Sequence, residues 1–171
     1  MKYYAGIGAR NTPIVVQNEM FQIAEELAKM GYILRSGGAA GADTAFENGC
    51  DFAGGKKEIF LPWQNFNNND SVRYMIPTMA LQIAELYHPR WDTLKPGAKK
   101  LMARNCMQLL GQDLNVESKS DFIICWTKDG KIAGGTGQSM RMVEAYKIPV
   151  YNLATQSKSD IMDYLYDQNH L

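Results

Sequence analysis

Tyr32-Ile33-Leu34-Arg35-Ser36-Gly37-Gly38-Ala39-Ala40-Gly41-Ala42-Asp43 decides the architecture of this chain. Tyr32 to Arg35 is a short apolar run that reads as a strand. A glycine cluster, Ser36 to Asp43, then turns the chain, and Ala42 to Ala53 reads as a helix closed by Gly54-Gly55. A second cluster, Ala133-Gly134-Gly135-Thr136-Gly137-Gln138, also follows an apolar run and leads into a helix-like segment, with Met140, Val143 and Ala145 among its inward candidates. A helix start offers unpaired N–H groups and a partial positive charge. Glycine lets an anion come close enough to use both. Two such loops point to one ligand held from two sides, and a nucleotide fits that description.

The rest of the chain repeats the strand–helix alternation. Lys2 to Gly8 reads as a first strand ending at Gly6-Ile7-Gly8, and Thr12-Pro13 reads as a helix start with Thr12 as its cap. Val16, Met20, Ile23, Ala24 and Leu27 recur at helical spacing, and Gly31 ends that helix. Glu58 to Leu61 is a third strand stopped by Pro62, and the polar stretch Asn65 to Asp70 is a surface loop. Ser71 to Gly111 reads as helical, broken at Pro77, His88-Pro89 and Pro96-Gly97. Asp121 to Trp126 is a fourth strand and Ile148 to Asn152 a fifth. Ser159 to Gln168 is a terminal helix with Ser159 or Asp160 near its cap. This order predicts an α/β, Rossmann-like, mainly parallel sheet with helices on both faces. Ligands bind such sheets beyond the carboxyl ends of the strands, where both glycine loops fall.

Composition narrows the function classes. The 171 residues suffice for a single domain with its own core, expected to span 1–171. Eighteen basic and eighteen acidic residues cancel, which argues against a strong nonspecific nucleic-acid binder. With no apolar run of membrane length and no signal-peptide pattern, a cytoplasmic protein is expected. Cys50, Cys106 and Cys125 lack CxxC spacing and read as reduced thiols. His88 and His170 have no metal-ligand pattern around them.

Ser36 to Asp43, together with Gly134-Gly135-Thr136-Gly137 and Glu144, resembles the SLOG superfamily, which includes the Lonely Guy phosphoribohydrolases and the DprA family. The first strand with Gly6-Ile7-Gly8-Ala9-Arg10 fits the same layout, and the overall pattern resembles phage-encoded, DprA-like SLOG proteins. The Lonely Guy loop has the form PGGxGTxxE. Here Ala133 stands for the proline, Gln138 for the threonine, and Glu144 is taken as an approximate equivalent of the acidic residue. Arg104 is the candidate for the family's catalytic arginine. The resemblance implies a homodimer, and a catalytic pair of Glu144 and Arg104.

Each candidate has two readings. Gly8, Ser36, Gly37, Gly38 and Gly41 either contact phosphate or ribose or make tight turns. Asp43 either answers the helix dipole or accepts from a sugar hydroxyl. Gly134, Gly135, Thr136, Gly137 and Gln138 form the stronger phosphate candidate, with Ser139 beside them. Glu144 is either a solvated carboxylate or holds the ribose. Arg10 is either a planar fork for phosphate or a solvated loop residue. Arg35 sits before the loop, and Asn105 is a companion to Arg104, which is either on the surface or in the cleft. Trp63, Phe66 and Trp91 are candidates for base stacking or for packing. Three functions follow: a nucleotide N-glycosidase without metal or redox cofactor, with a carboxylate opposing a cationic sugar; a non-catalytic sensor or sponge for a nucleotide signal in phage–host conflict; and a DprA-like single-stranded DNA binder, which needs a basic groove.

Overall fold

The computed structural model describes residues 1–131 and 134–169. Five strands, β1 (Lys2–Gly6), β2 (Tyr32–Ser36), β3 (Lys57–Ile59), β4 (Phe122–Cys125) and β5 (Val150–Asn152), form one all-parallel sheet in the order β3-β2-β1-β4-β5. Register places Tyr4 opposite both Leu34 and Phe122. Six α-helices lie among the described residues: α1 (Ile14–Lys29), α2 (Ala42–Phe52), α3 (Thr78–Tyr87), α4 (Pro96–Leu110), α5 (Gly134–Tyr146) and α6 (Lys158–Asn169).

Side chains alternate across a pleated strand, so the sheet divides the core in two. Tyr4, Leu34, Phe122 and Ile124 meet Met20 and Leu27 of α1, Phe46 of α2 and Ile161 of α6. Ala5, Ile123 and Cys125 face the opposite way, toward Ala84 of α3, Met107 of α4 and Met142 of α5. Strands buried on both faces explain why β4 is wholly apolar, Phe-Ile-Ile-Cys. The order reverses between β1 and β4, and this opens a crevice at their carboxyl ends. Burial pushes the Cys106 and Cys125 thiols up to about 12, which keeps them protonated. Among the described residues no helix is long and apolar enough to cross a membrane.

Several boundaries differ from expectation for local reasons. β1 stops at Gly6, where a Cβ would lie 2.5 Å from Cγ of Phe46. Thr12 does not cap α1. Its hydroxyl donates to the Ala9 carbonyl (2.6 Å), and the helix starts at Ile14 behind Pro13. Residues 71–77 are not helical: Ser71 Oγ donates to the Ile59 carbonyl (2.6 Å) and the Leu61 N–H donates to the Arg73 carbonyl (2.9 Å), so this segment extends along β3. Pro77 precedes α3, and the breaks at His88-Pro89 and Pro96 separate α3 from α4. The cap of α6 is Ser157, whose Oγ accepts the Asp160 N–H (3.1 Å).

Gly49 lets α1 and α2 touch through their backbones, since a Cβ there would sit 2.8 Å from the Phe21 carbonyl carbon. Gly49→Ala is expected to destabilise the fold by about 1–3 kcal/mol despite alanine's better helix propensity. Denaturant unfolding of the two proteins measures this directly.

Candidate functional site

A cavity of about 380 Å³ occupies the crevice at the β1/β4 reversal. The exit of β1 supplies Ile7, Gly8, Ala9 and Arg10, and the first glycine loop supplies Ala39 and Asp43. From the far side α4 contributes Leu101, Met102, Arg104, Asn105 and Gln108, while the start of α5 contributes Thr136 and Ser139. The two glycine loops therefore do meet at one cavity, through Ala39 and Asp43 on one side and Thr136 on the other.

The glycines of the first loop are required by close packing. A Cβ on Gly37 would reach the Arg104 guanidinium and lie 2.5 Å from Gln108 Nε2. Gly38 (φ 67°) would meet Leu61 at 2.6 Å, and Gly41 (φ 83°) would meet the Arg10 carbonyl carbon at 2.8 Å. Gly8 abuts Ala42, 2.6 Å from its Cβ. Ser36, Gly37, Gly38 and Gly41 thus shape the wall without lining the cavity. Ser36 Oγ donates to the Gly6 carbonyl (2.7 Å), which ties the ends of β2 and β1 together.

The loop's polar groups are also largely turned to the protein itself. Arg104 Nη1 donates to the Gly37 carbonyl, Asn67 Nδ2 to the Gly38 carbonyl (3.0 Å), and the Thr44 hydroxyl to the Ala39 carbonyl (2.7 Å). The Ala39 N–H donates to Asp43 Oδ2 (3.2 Å). At α2 the anion over the helix start is the chain's own Asp43 carboxylate. That amide is engaged by the protein itself.

Asp43 and Arg104 are 4 % and 5 % exposed. Burial pushes the Asp43 carboxyl up to about 6, opposed by the nearby Arg104 charge and the Ala39 N–H. Burial lowers Arg104, opposed by Asp43, while the like charge of Arg10 adds to the lowering. Arg104 Nε also donates to Asn105 Oδ1 (3.1 Å) and Nη1 to the Phe60 carbonyl (3.4 Å). Arg10 is exposed at the rim.

The second loop is the first turn of α5. Gly134 and Gly135 begin the helix, and Gly137 is buried in it. Ala133 lies outside the described residues, as does His170. Gln138 is not in the cavity. It is fully buried, with Nε2 near the Ala84 carbonyl (3.4 Å) and Oε1 unpartnered among the described residues, because its direction on α5 points it at α3 and α4. Glu144 is also not brought to the site. It is exposed, eight residues and about 12 Å of helix beyond Thr136. The spacing GGxGTxxE, counted from Gly134, falls on Arg141, whose Nε donates to the Tyr87 carbonyl (2.8 Å) at the end of α3. Arg35 faces away from the cavity, paired with Glu58 (2.8 Å) and stacked on Tyr3. Gln108 is the polar lining residue that sequence reasoning missed, beside the apolar Ile7, Leu101 and Met102. Its signal was present: Arg104, Asn105 and Gln108 share one face of α4 inside an otherwise apolar run, 103–110.

Asp43 carries a pH signature. Between about pH 4 and 6 the folded chain holds a proton that the unfolded chain has released. Its contribution to stability is complete below about pH 4 and is lost as pH rises through 6, a change of roughly 3 kcal/mol. Asp43→Asn is expected to flatten this part of the stability–pH curve and to raise stability at pH 8. Urea unfolding of both proteins from pH 4 to 8 checks it.

No family model and no curated protein matches the sequence. Solved structures do. DNA processing protein A from Helicobacter pylori, studied for its single-stranded DNA binding mode, matches at 22 % identity and TM-score 0.57 over 98 % of this chain and 73 % of that one. The molybdenum cofactor carrier protein from Chlamydomonas reinhardtii matches at 17 % and 0.56, over 98 % and 86 %. DNA processing protein A from Streptococcus pneumoniae matches at 17 % and 0.56, over 88 % of this chain and 49 % of that one. At these identities the likeness is one of fold, a Rossmann-like α/β architecture with an all-parallel sheet.

Proposed function

We propose that the chain binds a nucleotide or nucleotide-derived ligand in the crevice and acts as a binding protein rather than as an N-glycosidase. The observation that carries this reading is the convergence of Arg10, Arg104 and the start of α5, through Thr136, on one cavity at the strand-order reversal. Two guanidiniums and a helix N-terminus favour an anionic group. Ile7, Leu101 and Met102 offer an apolar wall for a base, and the Asn105 and Gln108 amides offer donors and acceptors to its edge or to a sugar. A volume of about 380 Å³ is in the range of small-molecule sites.

Cleavage of a glycosidic bond needs a carboxylate at the sugar. Glu144 is remote, and Asp43 is the one carboxylate among the described lining residues, already accepting the Ala39 N–H. The H. pylori relative binds single-stranded DNA. A zero net charge and two arginines at the cavity favour a compact ligand over a polymer held by many phosphate contacts.

Calorimetric titration with AMP, other nucleoside monophosphates and adenosine tests the reading. Monophosphates are expected to bind and to be recovered intact by chromatography. Thr136→Asp keeps a favourable charge at the helix start but repels the ligand, and should weaken AMP binding at least tenfold. Arg10→Ala should weaken AMP by about tenfold or more and leave adenosine unchanged. Absence of binding to any nucleotide overturns the proposal, and release of free base overturns its non-catalytic part.

A further inference from the structure

The connection from β3 to α3 places an aromatic ring against both cations of the site. Phe66, in a single 3-10 turn (Phe66–Asn68), is 8 % exposed. Its ring centroid lies 5.9 Å from Arg10 Cζ and 5.5 Å from Arg104 Cζ. Trp63 packs edge-on against the same ring at 5.2 Å. The next residue, Asn67, donates its amide to the Gly38 carbonyl, so the turn is fastened to the first glycine loop. Asn65, Asn67 and Asn68 all take left-handed backbone conformations, which asparagine tolerates better than most residues.

These two arginines are unlike the others nearby. Arg35 and Arg73 share the Glu58 carboxylate, at 2.8 and 3.3 Å. Among the described residues neither Arg10 nor Arg104 forms an ion pair within 4 Å, and each feels the other's like charge. A guanidinium is attracted to the face of an aromatic ring. The ring therefore holds together two cations that repel, next to a cavity with space for an anion. Phe66 is buried and does not line the cavity, so its ring supports the arginines rather than a base.

We propose that Phe66 is a positioning residue that holds Arg10 and Arg104 as a two-cation clamp for a terminal phosphate. This deepens the nucleotide reading and rests on it for the rest of the ligand. Two guanidiniums outnumber the single Asp43 carboxylate in the lining, and a phosphomonoester gives them more charge to meet than a diester, so the ligand class is a nucleotide with a free terminal phosphate.

The test uses inorganic phosphate alone, then AMP, cyclic 3′,5′-AMP and adenosine, by calorimetry on the full chain. Wild type should bind inorganic phosphate and should prefer AMP to the cyclic diester. Phe66→Leu should weaken phosphate and AMP at least tenfold and leave adenosine within twofold. Phe66→Tyr, which keeps the ring, should restore both anions. Equal loss of AMP and adenosine in Phe66→Leu would show a merely structural role and overturn the proposal, as would unchanged phosphate binding. If Phe66→Leu does not fold, Arg10→Ala decides: it must weaken inorganic phosphate tenfold, and no effect overturns the clamp. Phosphate binding with no gain from the nucleoside part would defeat the nucleotide reading while leaving the clamp standing; no phosphate binding by wild type defeats the clamp itself.

Discussion

The buried guanidinium of Arg104 is the constraint around which the crevice is built. Removing a cation from water costs several kcal/mol unless its donors are satisfied. Here the acceptors are backbone carbonyls at Gly37 and Phe60, one at the end of β2 and one just past β3, with the Asn105 side chain beside them. A helix on one face of the sheet is thereby tied to the carboxyl ends of two strands. The same guanidinium occupies the space a Cβ would need at Gly37, so the charge and the glycine imply each other. Asp43, brought in by α2 from the other face, supplies the partly compensating charge.

That arrangement sets the electrostatics of the cavity. Above about pH 6 Asp43 is ionised and offsets one of the two arginines; below it the carboxyl takes a proton and the arginines act unopposed. A buried carboxylate raised toward neutrality and a buried arginine lowered by the same burial are both held at a cost. An anion between Arg10 and Arg104 would relieve the repulsion between them while leaving the Asp43–Ala39 contact in place.

The fold was legible because its signals are local and repeated. Apolar β-branched runs, glycine turns and helical spacing alternate five times. The misreadings arose where a side chain's direction or a distant partner decides. Residues 71–77 have helical composition, but the edge of β3 offers backbone pairing, which a single sequence does not display. Thr12 looks like a cap, yet its hydroxyl turns to Ala9. Thr136 and Ser139 line the cavity while Gln138, between them in sequence, points into the helix interface; at 100° per residue one step is enough to change the destination. Arg104 was picked out by the family resemblance, while its helix spacing left surface and cleft both open. Phe66 was not, since its role depends on two arginines 94 positions apart in the sequence.

The two glycine loops look alike in sequence and do different work. In the first, the carbonyls of Gly37, Gly38 and Ala39 accept hydrogen bonds from Arg104, Asn67 and Thr44, and an internal carboxylate covers the helix start. That loop is an acceptor surface, and what it binds is the protein's own cation. The second loop is itself the opening turn of a 13-residue helix, whose first N–H groups have no carbonyl four residues earlier within the helix to receive them. The α2 start meets an internal carboxylate through the Ala39 N–H, while the α5 start meets the cavity through Thr136. Glycine in a strand-to-helix turn therefore does not by itself mark an anion site: in the first loop it makes room for a buried cation, whose guanidinium lies where a Cβ at Gly37 would be.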